Sequence, residues 1–189
     1  MGVPRIRLAA EAGLTIALAA VLHFITPWQM PQGGSVSLEM LPLFVFALLR
    51  GPVIGMACGA LYGLVDLILE PYLFHAAQVL LDYPTAFGLV GLAGFWSERW
   101  QRLAGQGALG VATWTAVIPG ITAGALGRYA AHVLSGLVFF SSFARDLGQA
   151  PLLYSLWYNL FVLVSAVGCA VVAVAILPVL RPMVGGRRV

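Results

Sequence analysis

The chain has no lysine: all ten of its basic residues are arginine, set against only seven carboxylates. Charged residues of every kind make up 9% of the sequence, where a soluble domain carries about a quarter. That scarcity excludes an ordinary water-soluble domain. Cysteine is equally sparse, and Cys58 and Cys169 both fall inside apolar stretches, which excludes a disulfide framework and marks them as packing thiols. No metal-ligand spacing and no His-Glu-x-x-His pattern is present, so no metal is expected. What the chain does have is apolar length. It is 61% hydrophobic over 189 residues, with a mean hydropathy of +0.95. This describes an all-α integral membrane protein, a single domain over residues 1–189. At roughly 20 apolar residues per span, the length suits about six helices.

Hydropathy and helix breakers place spans at about residues 6–25, 38–49, 53–69, 80–96, 108–140 and 153–179. The fifth carries a possible break at Pro119-Gly120. The N-terminal segment begins with Arg5 and Arg7, lacks a convincing small-x-small cleavage site and is followed by further spans, so it reads as a retained helix. The arginines orient the bundle. Arg5, Arg7, Arg50, Arg99, Arg102, Arg181, Arg187 and Arg188 fall at ends that six spans place on one face, which the positive-inside rule makes cytoplasmic. Both termini are then expected in the cytoplasm.

The opposite face collects polar and aromatic groups. Its loops are TPWQMPQGGSVS, EPYLFHAAQ and SSFARDLGQAP, and the adjoining helix ends add Glu39, Asp82, His132, Tyr154 and Asn159. Because alternate helices run in opposite directions, these residues gather in the outer half of the membrane, and we expect one pocket open to the outside. Asp82 is the central residue. A charge at membrane depth is costly and usually faces a cavity or ligand path. Pro84 suits a first helical turn and a carboxylate suits a helix N-terminus. Asp82 therefore reads as a helix cap, as an acceptor for donors on a ligand, or as the countercharge to a cation.

Glu39, at the start of the second span, reads as a cap, an ion-pair partner of Arg128, or a ligand contact. His132 lies four residues after Arg128 on one helix face and either bonds a neighbour or lines a heteroaromatic ligand. Trp28, Tyr72, Phe139, Phe140 and Trp157 are interfacial-belt residues or the walls of that pocket. Ser135 follows His132 by three residues, but SGL is not a nucleophile elbow, and catalysis is not expected. Asp66 sits too deep in the third span to be counted with Asp82. Gly51, Gly55, Gly59 and Gly63, four apart, allow close helix approach and read as internal packing or a partner face. Ala9, Gly13 and Ala17 form a similar ridge on the first span.

Several stretches in order, GGSVSLEMLPLFVFALLRGPVIGMACGALYGLVDLIL, PYLFHAAQVLLDYPTAFGLVGLAGF, RYAAHVLSGLVFF and YSLWYN, resemble the ThiT family, the thiamine-specific S-components of energy-coupling factor (ECF) transporters. The resemblance runs over about residues 33–159. It implies a six-helix subunit of a prokaryotic plasma membrane that captures thiamine from outside for ATP-driven uptake. It also implies partners: a transmembrane coupling protein and two cytosolic ATPases, with no nucleic acid. The chain lacks a G-x-x-x-x-G-K-[ST] loop, so the partners would hydrolyse ATP and the chain would need no cofactor of its own.

Carried over by position, the resemblance implies thiamine contacts at Asp82 and Tyr83 in the Leu-Asp-Tyr motif, at Tyr72, His132, Tyr154 and Asn159, and at Glu39. It places the coupling-protein contact on Gly13 and Ala17. Two positions depart from the family pattern. Ser35 stands where a member can carry Trp, and Phe140 stands where a Trp stacks eight residues after the His; Trp28 is a candidate to replace the missing ring. These departures keep a second reading open, an S-component for a thiamine precursor such as a hydroxymethylpyrimidine. The remaining alternative is an intramembrane enzyme.

Overall fold

A computed structural model describes residues 5–31 and 33–184; Arg187 and Arg188, used above to orient the bundle, lie outside the described residues. Among the described residues, five helices are long and apolar enough to cross a membrane: Arg5–His23, Pro52–Leu69, Ala76–Gly105, Leu109–Phe139 and Pro151–Pro182. A sixth apolar helix, Met40–Arg50, is shorter.

That short helix explains the shape of the bundle. Eight of its residues, among them Met40, Leu43, Phe44, Phe46 and Leu48, are buried, so it is apolar all round and sits at the centre. Eleven residues rise only about 16 Å at 1.5 Å each, roughly half a hydrocarbon core. The space beyond its N-terminal end is not filled by helix, and Glu39 stands at that end. Its other end is pinned by Arg50, whose Nη2 lies 2.6 Å from Glu11 of the first helix.

Between the first and second helices the chain forms a small antiparallel hairpin pairing Trp28 with Val36 and Gln29 with Ser35. Gly34 turns it at φ +89°, and a Cβ there would stand 2.5 Å from the Phe161 ring. The hairpin is tied to the last span, where Tyr158 Oη donates to the Gly33 carbonyl at 3.2 Å and Ser165 Oγ accepts from Ser37 N at 3.2 Å.

The glycine ladder resolves as internal packing. A Cβ on Gly59 would lie 2.2 Å from the Phe87 carbonyl oxygen, and one on Gly63 would lie 2.4 Å from that of Tyr83. Gly91 and Gly94 return the contact from the fourth span, where an added Cβ would stand 2.2 Å from Met56 N and 2.4 Å from Gly51 C. Since lipid is as apolar as leucine, such close backbone packing, rather than hydrophobic burial, holds spans together. The other face of the third helix, with Val53, Leu61, Leu64 and Ile68, is exposed and suits lipid. On the first helix Ala9, Gly13 and Ala17 are all exposed, and a Cβ on Gly13 would meet nothing within 4 Å.

The fourth span corrects the sequence reading. Its helix begins at Ala76, capped by His75, whose Nδ1 accepts from Ala77 N at 3.1 Å while Gln78 Oε1 accepts from His75 N at 3.4 Å. Asp82 is therefore not a cap but sits well inside the helix. It lies on a π-helical turn, Leu81–Thr85, with Pro84 inside it. Proline lacks an N–H and its ring crowds the carbonyl four residues back, so the ladder widens there. The same span continues as helix through Ser97–Gly105, so Arg99 and Arg102 are helical, not in a loop. The fifth span has a second π turn at Thr113–Val117, just before Pro119. Cys58 and Cys169 are buried free thiols.

Candidate functional site

At the end of the bundle under the hairpin lies a cavity of about 780 Å³, measured out to its open mouth. All nine residues expected to contact ligand line it: Ser35, Glu39, Tyr72, Asp82, Tyr83, His132, Phe140, Tyr154 and Asn159. The hairpin, the second outer loop, the head of the second helix and the fourth, fifth and sixth spans contribute them, as the outer-half argument requires.

Asp82 is held by three side chains. Its Oδ2 accepts from Gln78 Nε2 and from Ser135 Oγ, each at 2.8 Å, and its Oδ1 lies 3.0 Å from His132 Nδ1. The histidine's other nitrogen, Nε2, accepts from Arg128 Nε at 3.3 Å, which puts the ring proton on Nδ1, donating to Asp82. Ser135 therefore bonds the carboxylate and not the imidazole, so the Ser–His pair imagined from spacing is not aligned for attack. A carboxylate offers about four acceptor sites, and three are used, leaving one on Oδ1 for a ligand.

Glu39 has an N-cap position but makes no side-chain cap bond. It is 2% exposed, and its Oε1 accepts from Arg128 Nη1 at 3.0 Å, so the ion-pair reading holds over the cap. Its Oε2 accepts from Tyr62 Oη at 3.0 Å. Arg128 lies 3.8 Å over the Phe87 ring. One guanidinium thus joins two poles of the cavity, reaching Glu39 directly and Asp82 through His132.

The remaining lining is aromatic or structural. Tyr83 Oη donates to the Glu70 carbonyl and accepts from Tyr72 N, both at 2.8 Å, stapling the second loop to the fourth span. Phe140 packs with Tyr72 and Phe74 at ring distances of 5.9 and 5.2 Å. Tyr154 stacks on Tyr158 at 5.7 Å. Asn159 stands where the sixth span breaks between Pro151–Tyr158 and Leu160–Val184, and its Nδ2 donates to Ser155 O at 2.8 Å. Ser35 is buried and offers no ring face. Trp28 does not replace one: it is 65% exposed and is not among the residues lining the cavity, which suits a membrane-interface role.

Sequence reasoning missed the second acidic pole. Asp66 lines this cavity after all, with His23 and Glu70. The third helix ends at Leu69, so Asp66 is within one turn of the mouth rather than at mid-membrane. Its signal was available: His23 closes the first helix and Asp66 nearly closes the third, on the same side as Glu39. Four carboxylates, Glu39, Asp66, Glu70 and Asp82, then line the cavity with one guanidinium, Arg128. The surplus is negative, and together with the aromatic walls it suits a cationic heteroaromatic ligand.

The comparisons agree with this architecture. Residues 9–184 match the sequence model of the thiamine transporter protein family (Thia_YuaJ). The thiamine transporter ThiT of Bacillus subtilis is 37% identical over 166 residues, covering 86% of this chain and 85% of that protein. The thiamine transporter ThiT of Lacticaseibacillus paracasei is 30% identical over 153 residues, covering 79% and 75%. A solved structure of ThiT from Listeria monocytogenes matches with a TM-score of 0.86 at 24% identity, covering 96% of this chain and 98% of that one, and so shows the same fold. These relatives are named for transport and not for a catalysed reaction. With its long apolar helices the chain is a multi-pass membrane protein, and it belongs to the thiamine transporter protein family.

Proposed function

We propose that this chain is the substrate-binding membrane subunit of an ECF-type importer, and that it captures thiamine from the outer side. One observation carries the reading: a carboxylate, Asp82, is held by three donors at the wall of an aromatic-lined cavity and keeps one acceptor direction open. Thiamine combines an aminopyrimidine, a permanently cationic thiazolium and a hydroxyethyl tail. Asp82 accepts from the aminopyrimidine. Phe140, Tyr72 and the Tyr154–Tyr158 stack supply ring faces, and the surplus carboxylates favour the fixed positive charge. His132 and Asn159 hold this wall in register, and Glu39 sets the charge of the opposite pole. A cavity built to pair buried polar groups discriminates strongly against ligands that lack them.

The transport half of the proposal rests on the family resemblance and on two features of the chain. It has no phosphate-binding loop of its own, which is consistent with the two cytosolic ATPase subunits that the resemblance implies. Its first helix presents Gly13 and Ala17 unencumbered, a surface on which a transmembrane coupling protein can approach closely. The termini are then cytoplasmic, in line with the arginine distribution.

Calorimetric titration of the purified chain with thiamine tests the first half: saturable binding is expected, and its absence up to about 1 mM thiamine refutes it. Ser35, which contributes no ring face, favours a smaller ligand as the second reading. Competition decides between the two. If hydroxymethylpyrimidine alone displaces thiamine as well as thiamine itself does, the precursor is the ligand.

A further inference from the structure

The Asp82 pole is accounted for by its donors; the opposite pole is not. There, His23 Nδ1 lies 3.2 Å from Glu39 Oε2 and 3.0 Å from Asp66 Oδ1. A ring nitrogen carries at most one proton, in the ring plane, and it cannot serve both oxygens well. Asp66 Oδ1 is outside hydrogen-bond alignment with it, and no other donor among the described residues reaches that atom. Asp66 is only 8% exposed. A buried carboxylate oxygen with no donor is costly, and such a group calls for an ion or a water to explain it.

We propose that His23, Glu39 and Asp66 form a divalent transition-metal site, of the Zn²⁺ or Mn²⁺ type, in the wall of the cavity. The three ligand atoms lie within 4.8 Å of one another. A tetrahedral ion with ligands at about 2.0–2.1 Å separates them by about 3.3 Å, and an octahedral ion by about 2.9 Å. The His23–Glu39 and His23–Asp66 separations of 3.2 and 3.0 Å fall in that interval, and the two carboxylate oxygens lie within 4.8 Å of each other, so receiving the ion means drawing the carboxylates together about one imidazole. One imidazole nitrogen with two carboxylate oxygens is a donor set for zinc, manganese or ferrous iron rather than calcium.

The surroundings support the same reading. Glu39 is oriented from behind by Tyr62 Oη at 3.0 Å and by Arg128 Nη1 at 3.0 Å on its other oxygen, as outer-shell partners orient metal ligands. Glu70 Oε2 stands 3.6 Å from the free edge of the ring at His23 Nε2. Glu39, Asp66 and Glu70 all lie within ion-pair reach of the His23 imidazole, and Arg128 reaches only Glu39 among them, so three carboxylates share this corner and a divalent ion bound in place of the imidazole's proton is met by negative charge. Because all three ligands line the cavity, the open coordination positions of the ion face the bound molecule.

The test uses the full chain, purified, stripped with chelator and free of vitamin. Titration with Mn²⁺, followed by loss of the free-ion electron paramagnetic resonance signal, is expected to show one saturable site per chain. Asp66→Asn weakens it by at least about tenfold, and Asp146→Asn in the last loop leaves it unchanged. The chain's three histidines, His23, His75 and His132, give a second readout that needs no variant: with imidazoles isotopically labelled, Mn²⁺ broadens the His23 resonances first and those of His75 last. No saturable binding of Mn²⁺ or Zn²⁺ by about 1 mM overturns the proposal. So does equal binding by a folded Asp66→Asn variant, or His23 resonances that broaden no earlier than those of His75. Since no thiamine is present, failure here leaves the ligand proposal standing, and the reverse holds too.

Discussion

Replacing Asp82 by alanine is the sharpest perturbation of the proposed site, because the structure fixes what is lost. The carboxylate takes bonds of 2.8, 2.8 and 3.0 Å from Gln78, Ser135 and His132, and it keeps one acceptor position for ligand. A hydrogen bond to a charged group contributes about 1.5–3 kcal/mol, and each 1.4 kcal/mol is tenfold in affinity. The direct loss is therefore roughly 10- to 150-fold in thiamine dissociation constant. Freeing His132 from its anchor adds to it. Asp82→Asn keeps the shape and one oxygen but turns an NH₂ toward existing donors, so its loss is expected to be smaller than that of alanine and still measurable. Calorimetric titration gives the affinities, and a thermal melt of each variant in detergent shows that it is folded. If folded Asp82→Ala binds thiamine within about threefold of the parent, the carboxylate serves the helix and not the ligand, and the assignment fails.

Other outcomes follow from the packing and the charges. Arg128→Met leaves Glu39 buried without its counterion and is expected to destabilise by about 3–5 kcal/mol, read as a lowered melting temperature. Adding Glu39→Gln should restore part of that loss, whereas strictly additive losses would refute the pairing. Gly59→Ala forces a Cβ to 2.2 Å from the Phe87 carbonyl; overpacking of this kind costs about 1–3 kcal/mol, so a melt unchanged from the parent contradicts the backbone contact. Gly13→Leu adds bulk where nothing lies within 4 Å. It should leave thiamine binding by the purified chain intact while uptake by cells carrying the coupling module falls, and unimpaired uptake removes that helix face as the docking surface.

Much of this was legible in the sequence, because few polar side chains are spent inside an apolar chain and each has a place. Asp82, His132, Tyr154 and Asn159 meet as antiparallel span order requires, and Arg128 pairs with Glu39. What escaped was set by local backbone chemistry. His75 with Gln78 caps a helix as Ser with Glu ordinarily does, so the fourth span starts earlier than its apolar run, and Pro84 opens a π turn inside it instead of starting it. Asp66 was discounted by its distance along the third span. Yet the helix is only 18 residues long, and a residue near its end is near the cavity. The metal-type cluster draws one residue each from the first helix, the second helix and the third, and no spacing within a single segment announces it.

The glycine joint between the third and fourth spans has a consequence for movement. Where Gly59 and Gly63 meet the backbone of Phe87 and Tyr83, the helices touch backbone to backbone, and the Tyr62 ring is set edge-on against Phe87 beside that joint at 4.7 Å. The two spans behave as one strut. Asp66 rides on one member and Asp82 on the other, and their separation is thereby a fixed gauge for whatever enters. The hairpin under Tyr158 and Ser165 and the short segment Pro151–Tyr158 are held by side chains instead, and such ties yield by a change of rotamer where a backbone joint does not.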